Sequence, residues 1–425
     1  MKLLVLSIVA IFLLAMVATS PAVAAILRGK VVDAATHAPI DGAFVTLKDT
    51  VVTTRTDGSF TIEGDADSVG VRAYGHLRVK VPAASLQRDQ AEIALQPFKP
   101  KALYLSVYGI GSSTLRMQAL NLIEATELNA TVIDLKSERG QIAYASSIPL
   151  AAEVGAQSLI TIKNLAAQVR QLHERGIYTI ARIVVFSDDR LARAKPELAV
   201  RCPGGKIYGD RLHLAWTDPF EPDVRKYNIA VAVEAAKAGF DEVQLDYVRF
   251  PDMPRLIFAE PNTRANRVHA IDSFLEDARR ALVPYNVFLA ADIFGYVAWN
   301  LDDTGIGQQI EDLPAIVDYI SPMLYPSGFQ FGIPGYKDPV AHPYEIVYRS
   351  LERAQQRSGV PPIRFRPWLQ AFRDYAFDRR RFGATEIKEQ TTAANKFGSD
   401  GWMLWNPGNV YSESGLSLNK APACQ

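Results

Sequence analysis

Gly239-Phe240-Asp241-Glu242-Val243-Gln244-Leu245-Asp246-Tyr247-Val248-Arg249-Phe250-Pro251 runs from a helix stop, through an apolar strand, into a cluster of charged and aromatic residues. The segment before it, 223–238, has helical spacing, and Gly239 is a C-cap signal. Within 242–247 Gln244 and Asp246 share parity, so both point to one side of the strand. The same phrase recurs along the chain. Expected strands cover 103–108, 130–135, 178–186, 242–247, 287–293, 319–325, 363–370 and 401–405. Expected helices cover 114–128, 159–175, 223–238, 263–282, 306–317, 344–356 and 385–396. This alternation across 101–425 predicts a (β/α)₈ TIM barrel, for which about 250 residues are typical and insertions add more. An open doubly wound sheet rarely needs eight strands and usually shows a Gly-rich first turn.

The first hundred residues differ. Met1-Lys2, the apolar run 3–17 and Ala22-Val23-Ala24 form a positive start, an apolar stretch and a small-residue cleavage site. That predicts a secretory signal over 1–24, too short for a comfortable span of about 20 apolar residues. The expected location is periplasmic or secreted, with no stable membrane span after cleavage. From 26 to 97 short alternating strands separated by turns, including Asp57-Gly58, predict a small β-sandwich.

Basic and acidic side chains balance at 46 each, which removes the basic excess of a nucleic-acid binder. The six histidines form no ligand cluster, and no Walker loop, GxGxxG or GxSxG elbow occurs. No metal or other cofactor is expected. Cys202 and Cys424 can pair in an oxidising compartment, a question sequence leaves open.

The carboxylates fall where a barrel keeps its chemistry, at strand C-termini. Asp246 ends the fourth expected strand, with Arg249 three residues on to hold it ionised. Asp292 ends the fifth behind Leu289-Ala290-Ala291, an apolar setting that raises a carboxyl pKa. One ionised and one protonated carboxyl across a cleft is the arrangement of glycoside hydrolysis. Asp246 is the candidate nucleophile and Asp292 the candidate acid/base, though the roles can be exchanged. Adjacent strands favour a retaining mechanism. Asp134 and Lys136 end the second strand with matching parity, as an ion pair beside the other two or a purely structural one. Asp188-Asp189 and Asp302-Asp303 are expected as solvated loop or cap residues.

Tyr108, Tyr247, Trp299, Tyr325, Trp368 and Trp405 lie at or just past strand ends. Sugar rings pack on aromatic faces, and their hydroxyls need polar partners. Gln244, Arg249, Gln370 and Asn406 fit that second role. For any single aromatic, core packing is the better bet.

Two resemblances add to this. Gly29-Lys30-Val31-Val32-Asp33, Ala38-Pro39-Ile40-Asp41-Gly42-Ala43-Phe44-Val45-Thr46-Leu47 and Thr56-Asp57-Gly58-Ser59-Phe60-Thr61-Ile62 resemble the carboxypeptidase regulatory-like domain, a transthyretin-like sandwich that is an accessory module. Val132-Ile133-Asp134-Leu135-Lys136, the stretch 239–251, Ala291-Asp292-Ile293-Phe294-Gly295 and Ser321-Pro322-Met323-Leu324-Tyr325-Pro326 resemble a glycoside hydrolase domain family often attached to exported bacterial proteins. That family looks like a distant relative of the α-amylase clan, which implies an Asp nucleophile at Asp246. The clan's acid/base Glu and the Arg two residues before its nucleophile are replaced here by Asp292 and Gln244. The expectation is an exported glycoside hydrolase acting on a polysaccharide. The alternative is a carbohydrate-binding protein on the same barrel without turnover.

Overall fold

A computed structural model describes residues 25–87 and 91–419. The expected signal over 1–24 and Cys424 lie outside the described residues. Strands β1 (Ala25–Asp33), β2 (Phe44–Leu47), β3 (Thr50–Thr53), β4 (Ser59–Gly64), β5 (Ser68–Arg72), β6 (Val79–Pro82) and β7 (Glu92–Leu95) form two sheets, ordered β4-β1-β7 and β3-β2-β5-β6. Their alternating apolar residues, among them Leu27, Val31, Val45, Ile62, Val71 and Leu95, form one buried core.

The rest is a closed parallel barrel of eight strands. These are β8 (Lys101–Leu105), β9 (Ala130–Lys136), β10 (Tyr178–Val184), β11 (Glu242–Asp246), β12 (Phe288–Phe294), β13 (Tyr319–Met323), β14 (Trp368–Gln370) and β15 (Trp402–Trp405). The helix Pro222–Ala238 ends on Gly239 at φ 105°, a conformation that glycine adopts without steric cost.

Three expected elements are shorter, each for a local reason. The second helix begins only at Leu165, where the Asn164 side chain accepts from Ala167 N–H. The seventh strand keeps only three residues, because Pro362–Arg364 turn as a 3₁₀ helix and Pro367 has no N–H for the ladder. The helix expected over 306–317 is reduced to Leu313–Ile316. Before it, Asp303 accepts from Gly305 and Gly307 N–H and binds Arg267, tying that segment into a loop.

The sandwich sits on the N-terminal mouth of the barrel. Phe98 stacks on Tyr178 at 5.6 Å between centroids, and Tyr74 meets Tyr319 edge-on at 5.8 Å. Arg78 Nη2 donates to the Gly239 and Phe240 carbonyls at 2.7 and 2.9 Å, satisfying the end of the helix before β11.

Candidate active site

Alternation along each barrel strand sends every second side chain inward. Tyr178, Ile180 and Arg182 are the inward residues of β10, and Arg182 is the only charge on that strand. It is buried, so its guanidinium needs partners. Nη1 donates to Asp134 Oδ1 at 2.5 Å. Nε and Nη2 donate to Asp246 Oδ2 at 2.9 and 2.5 Å. Nε also stands 4.0 Å from Asp292 Oδ2. Three carboxylates from β9, β11 and β12 thus share one cation.

That ratio sets the electrostatics. Asp292 has no exposed surface, and its Oδ1 accepts from Trp368 Nε1 at 2.8 Å. Oδ2 has no hydrogen-bond partner. Burial, reinforced by the negative charge of Asp246, pushes the Asp292 carboxyl well above the usual range, against the opposing pull of Arg182. Burial likewise raises Asp134 to about 6, although Arg182 and the Tyr104 hydroxyl, which donates at 2.5 Å, hold it down.

Asp246 closes β11, and its Oδ1 accepts from the N–H of Tyr247 at 2.6 Å. Tyr247 has φ 50°, a left-handed backbone that costs a bulky residue free energy and clusters at functional sites. Trp405 stacks on Tyr104 at 3.9 Å, and Arg182 lies 4.7 Å from the Trp405 ring centre. Tyr325 is half-buried after β13, and its hydroxyl is pushed well up by burial and by Asp246 and Asp292.

Several sequence expectations need correction. Asp134 and Lys136 do not pair. The β9–β10 register shifts between Arg182 and Ile183, so Lys136 stands opposite Ile183 and leaves the inward alternation. Its ammonium binds Asp188 at 2.8 Å and the Val184 carbonyl at 2.7 Å. Asp188 and Asp303 are buried and paired instead of solvated, and Asp188 does cap a helix, accepting from Leu191 N–H at 2.9 Å at the start of Asp189–Ala194.

Arg249 does not hold Asp246. It donates to its neighbour's carbonyl and lies over Trp216 and Tyr247. Gln370 is buried and spent on Ser327, Phe372 and Gln390. Asn406 is spent on Ala371, Val410 and Gly408. Gln244 donates to Ser321 and Met403 inside the barrel. Trp368 positions Asp292 and presents no open face, and Trp299 donates to Ser350 instead of lining the mouth.

The residues missed from sequence are Arg182 and Tyr104. A lone Arg at an inward position of a strand otherwise without charge was the available signal. At the mouth, Tyr108, Phe294 and Phe331 are exposed, Phe331 almost fully at 89%. No group of three or more metal-binding side chains occurs among the described residues.

The family model described as "Putative glycosyl hydrolase domain" matches residues 102–411. A hypothetical protein from Ruminiclostridium thermocellum ATCC 27405 is 36% identical over 45% of this chain and 96% of its own, with a TM-score of 0.39. The glycoside hydrolase domain of PgaB (BpsB) from Bordetella bronchiseptica is 15% identical over 74% and 95%, with a TM-score of 0.53, a likeness of fold. A class V chitinase from Pseudomonas fluorescens Pf-5 is 15% identical over 74% and 99%, with a TM-score of 0.45. No curated protein matches the chain.

Proposed function

The chain belongs to the glycosyl hydrolase domain family, and from that premise we propose that its barrel hydrolyses O-glycosidic bonds of a polysaccharide. Asp246 is the nucleophile and Asp292 the acid/base. The observation that carries this reading is the fully buried Asp292, with one oxygen unpartnered 4.0 Å from the guanidinium that binds Asp246. Asp292 gives its proton to the leaving oxygen as the glycosidic bond breaks. The Asp246 carboxylate attacks the anomeric carbon. Asp292, now ionised, takes a proton from the water that releases the sugar. As Asp246 becomes an ester and Asp292 ionises, negative charge moves from one carboxyl to the other, and the Arg182 cation offsets it at both.

Both oxygens lie on Nε of Arg182, at 2.9 and 4.0 Å, so their separation cannot exceed the sum of those distances. This supports retention, at about 5–5.5 Å between carboxyls, over most of the inverting range of about 6.5–9.5 Å. The proposed place of action is the periplasm or the exterior, with the sandwich as an accessory module.

A second reading, a carbohydrate-binding barrel without turnover, is favoured by one observation. Asp292 has no exposed surface, so a sugar reaches it only if the mouth opens.

The test is oligosaccharide release from a panel of bacterial wall and matrix polysaccharides. A fall of about 10³-fold or more in both Asp246→Asn and Asp292→Asn is expected. Release that neither change affects overturns the assignment. Tight binding without release across the panel selects the second reading.

A further inference from the structure

The loops after β8, β9 and β10 form an open groove of about 580 Å³, lined by Tyr108, Arg139, Gln141, Asp189, Arg190 and Arg193 among others. All six follow the C-terminal ends of their strands, so the cavity opens on the same face as Asp246. The lining carries three guanidinium groups and one carboxylate. That carboxylate is already committed, since Asp189 accepts from Arg193 Nε at 2.7 Å and from Ala215 N–H at 2.9 Å. Arg190 places one nitrogen on the Gly155 carbonyl at 2.9 Å and keeps its remaining N–H groups. Arg139 is exposed and has no ion pair among the described residues. The preceding Glu138 adds its negative charge to Asp134 and Tyr104, on the barrel side, so the acid and the base of this dipeptide serve different spaces.

An aromatic face completes the groove. Tyr108 is 54% exposed, and its hydroxyl donates to Gln141 Oε1 at 2.9 Å, which fixes the ring. A fixed ring offers a stacking surface at low entropic cost, and a guanidinium fork matches a planar or tetrahedral anion. A neutral sugar leaves two arginines facing it without countercharge.

We propose that this groove is a binding subsite for an anionic sugar unit of the substrate, stacked on Tyr108 with its carboxylate, sulfate or phosphate held by Arg139 and Arg190. The proposal rests on the glycan-directed reading above and names the substrate class within it. An acidic glycan would lie with one unit here and its scissile bond over Asp246.

The experiment measures binding by calorimetry to the full chain carrying Asp246→Asn, so that turnover does not interfere. The probes are a uronate oligosaccharide, its carboxyl-reduced neutral counterpart, and sulfated and phosphorylated oligosaccharides of similar length. The expected result is tighter binding of one anionic class than of the neutral form by about 10-fold or more. That preference should weaken with salt and collapse on adding Arg139→Gln or Arg190→Gln. The anion class that binds best identifies the substituent. Equal affinity for neutral and anionic forms, or a preference that survives both substitutions, overturns the proposal and leaves the hydrolase reading standing. Selective anion binding with no cleavage by the unmutated chain keeps the groove and removes the hydrolase reading.

Discussion

At the N-terminal end of the barrel Arg366 lies between Glu242 and Asp400, and at the C-terminal end Arg182 lies among Asp134, Asp246 and Asp292. Both guanidiniums are buried, and both face more carboxylates than one cation neutralises. They differ in what covers them. Arg366 lies 4.0 Å from the Tyr319 ring centre and also donates to the Asp400 carbonyl. The sandwich closes that end with Tyr74 and Phe98. Its charges meet neither solvent nor ligand, so they serve packing and register. At the other end the loops carry exposed aromatics and arginines, and the partnerless oxygen of Asp292 has counterparts on Glu242 and Asp400 at the covered end. The comparison separates a buried ion network beneath a packed domain from one beneath open loops that carry exposed aromatics and arginines.

The largest effect expected from this comparison is catalytic and one-sided. Asp246→Asn should lower release per folded molecule by about 10³-fold or more, a loss beyond what any cost in stability explains. Glu242→Gln, its counterpart four residues earlier on β11, should cost stability and leave turnover per folded molecule intact. A Glu242→Gln chain that folds normally but has lost release would break the division between the two ends.

That division was only half legible in the sequence. The barrel was, because eight apolar runs at strand length alternate with amphipathic helices, and helix stops such as Gly239 mark the boundaries. Asp246 and Asp292 stood out because they end such runs. Their partner did not. Arg249, near in sequence, drew attention, whereas Arg182 reaches Asp246 only through the β10–β11 pairing. Lys136 was misplaced because a one-residue register shift reverses parity, and no residue type announces that shift. Gln370 and Asn406 have suitable chemistry for a sugar, but their hydrogen bonds are taken by loops whose course no local pattern dictates.

The next effect concerns the cations. Removing one partner of a buried ion pair typically costs about 3–5 kcal/mol. Arg182→Met and Arg366→Met should both fall in that range by urea unfolding. They should part in pH dependence. Without Arg182, Asp134 and Asp292 lose the charge that opposes their burial, so their ionisation becomes harder and stability falls more steeply as pH rises. A flat pH response in Arg182→Met would mean that Arg182 does not set the protonation of this end.

A smaller effect tests the cover. Tyr74→Ala removes one ring from the sandwich–barrel contact and should cost about 1–3 kcal/mol. The two sets of contacts lie at opposite mouths, so the ratio of activities on different glycans should not move. A change in glycan preference on Tyr74→Ala would show that the covered end reaches the site.

The smallest effect is proton linkage at Asp134. A free carboxyl of this type titrates near 3.8, and the folded protein holds Asp134 at about 6. Between those values the folded chain binds more protons than the unfolded one, so the slope of stability against pH is negative. The contribution is complete below the unfolded pKa and is lost as pH rises through about 6. Asp218 and Asp272 are raised by burial as well, to about 6 and about 7, so wild type alone does not isolate Asp134. The difference between wild type and Asp134→Asn does, because the amide keeps an oxygen for Tyr104 and cannot titrate. The unfolding free energy of wild type relative to the variant should therefore be greater at pH 5 than at pH 7. A difference that grows instead with rising pH would mean that Arg182 outweighs burial at Asp134. Asp134 would then be ionised, and Asp292 alone would be the carboxyl that burial raises among the three on Arg182.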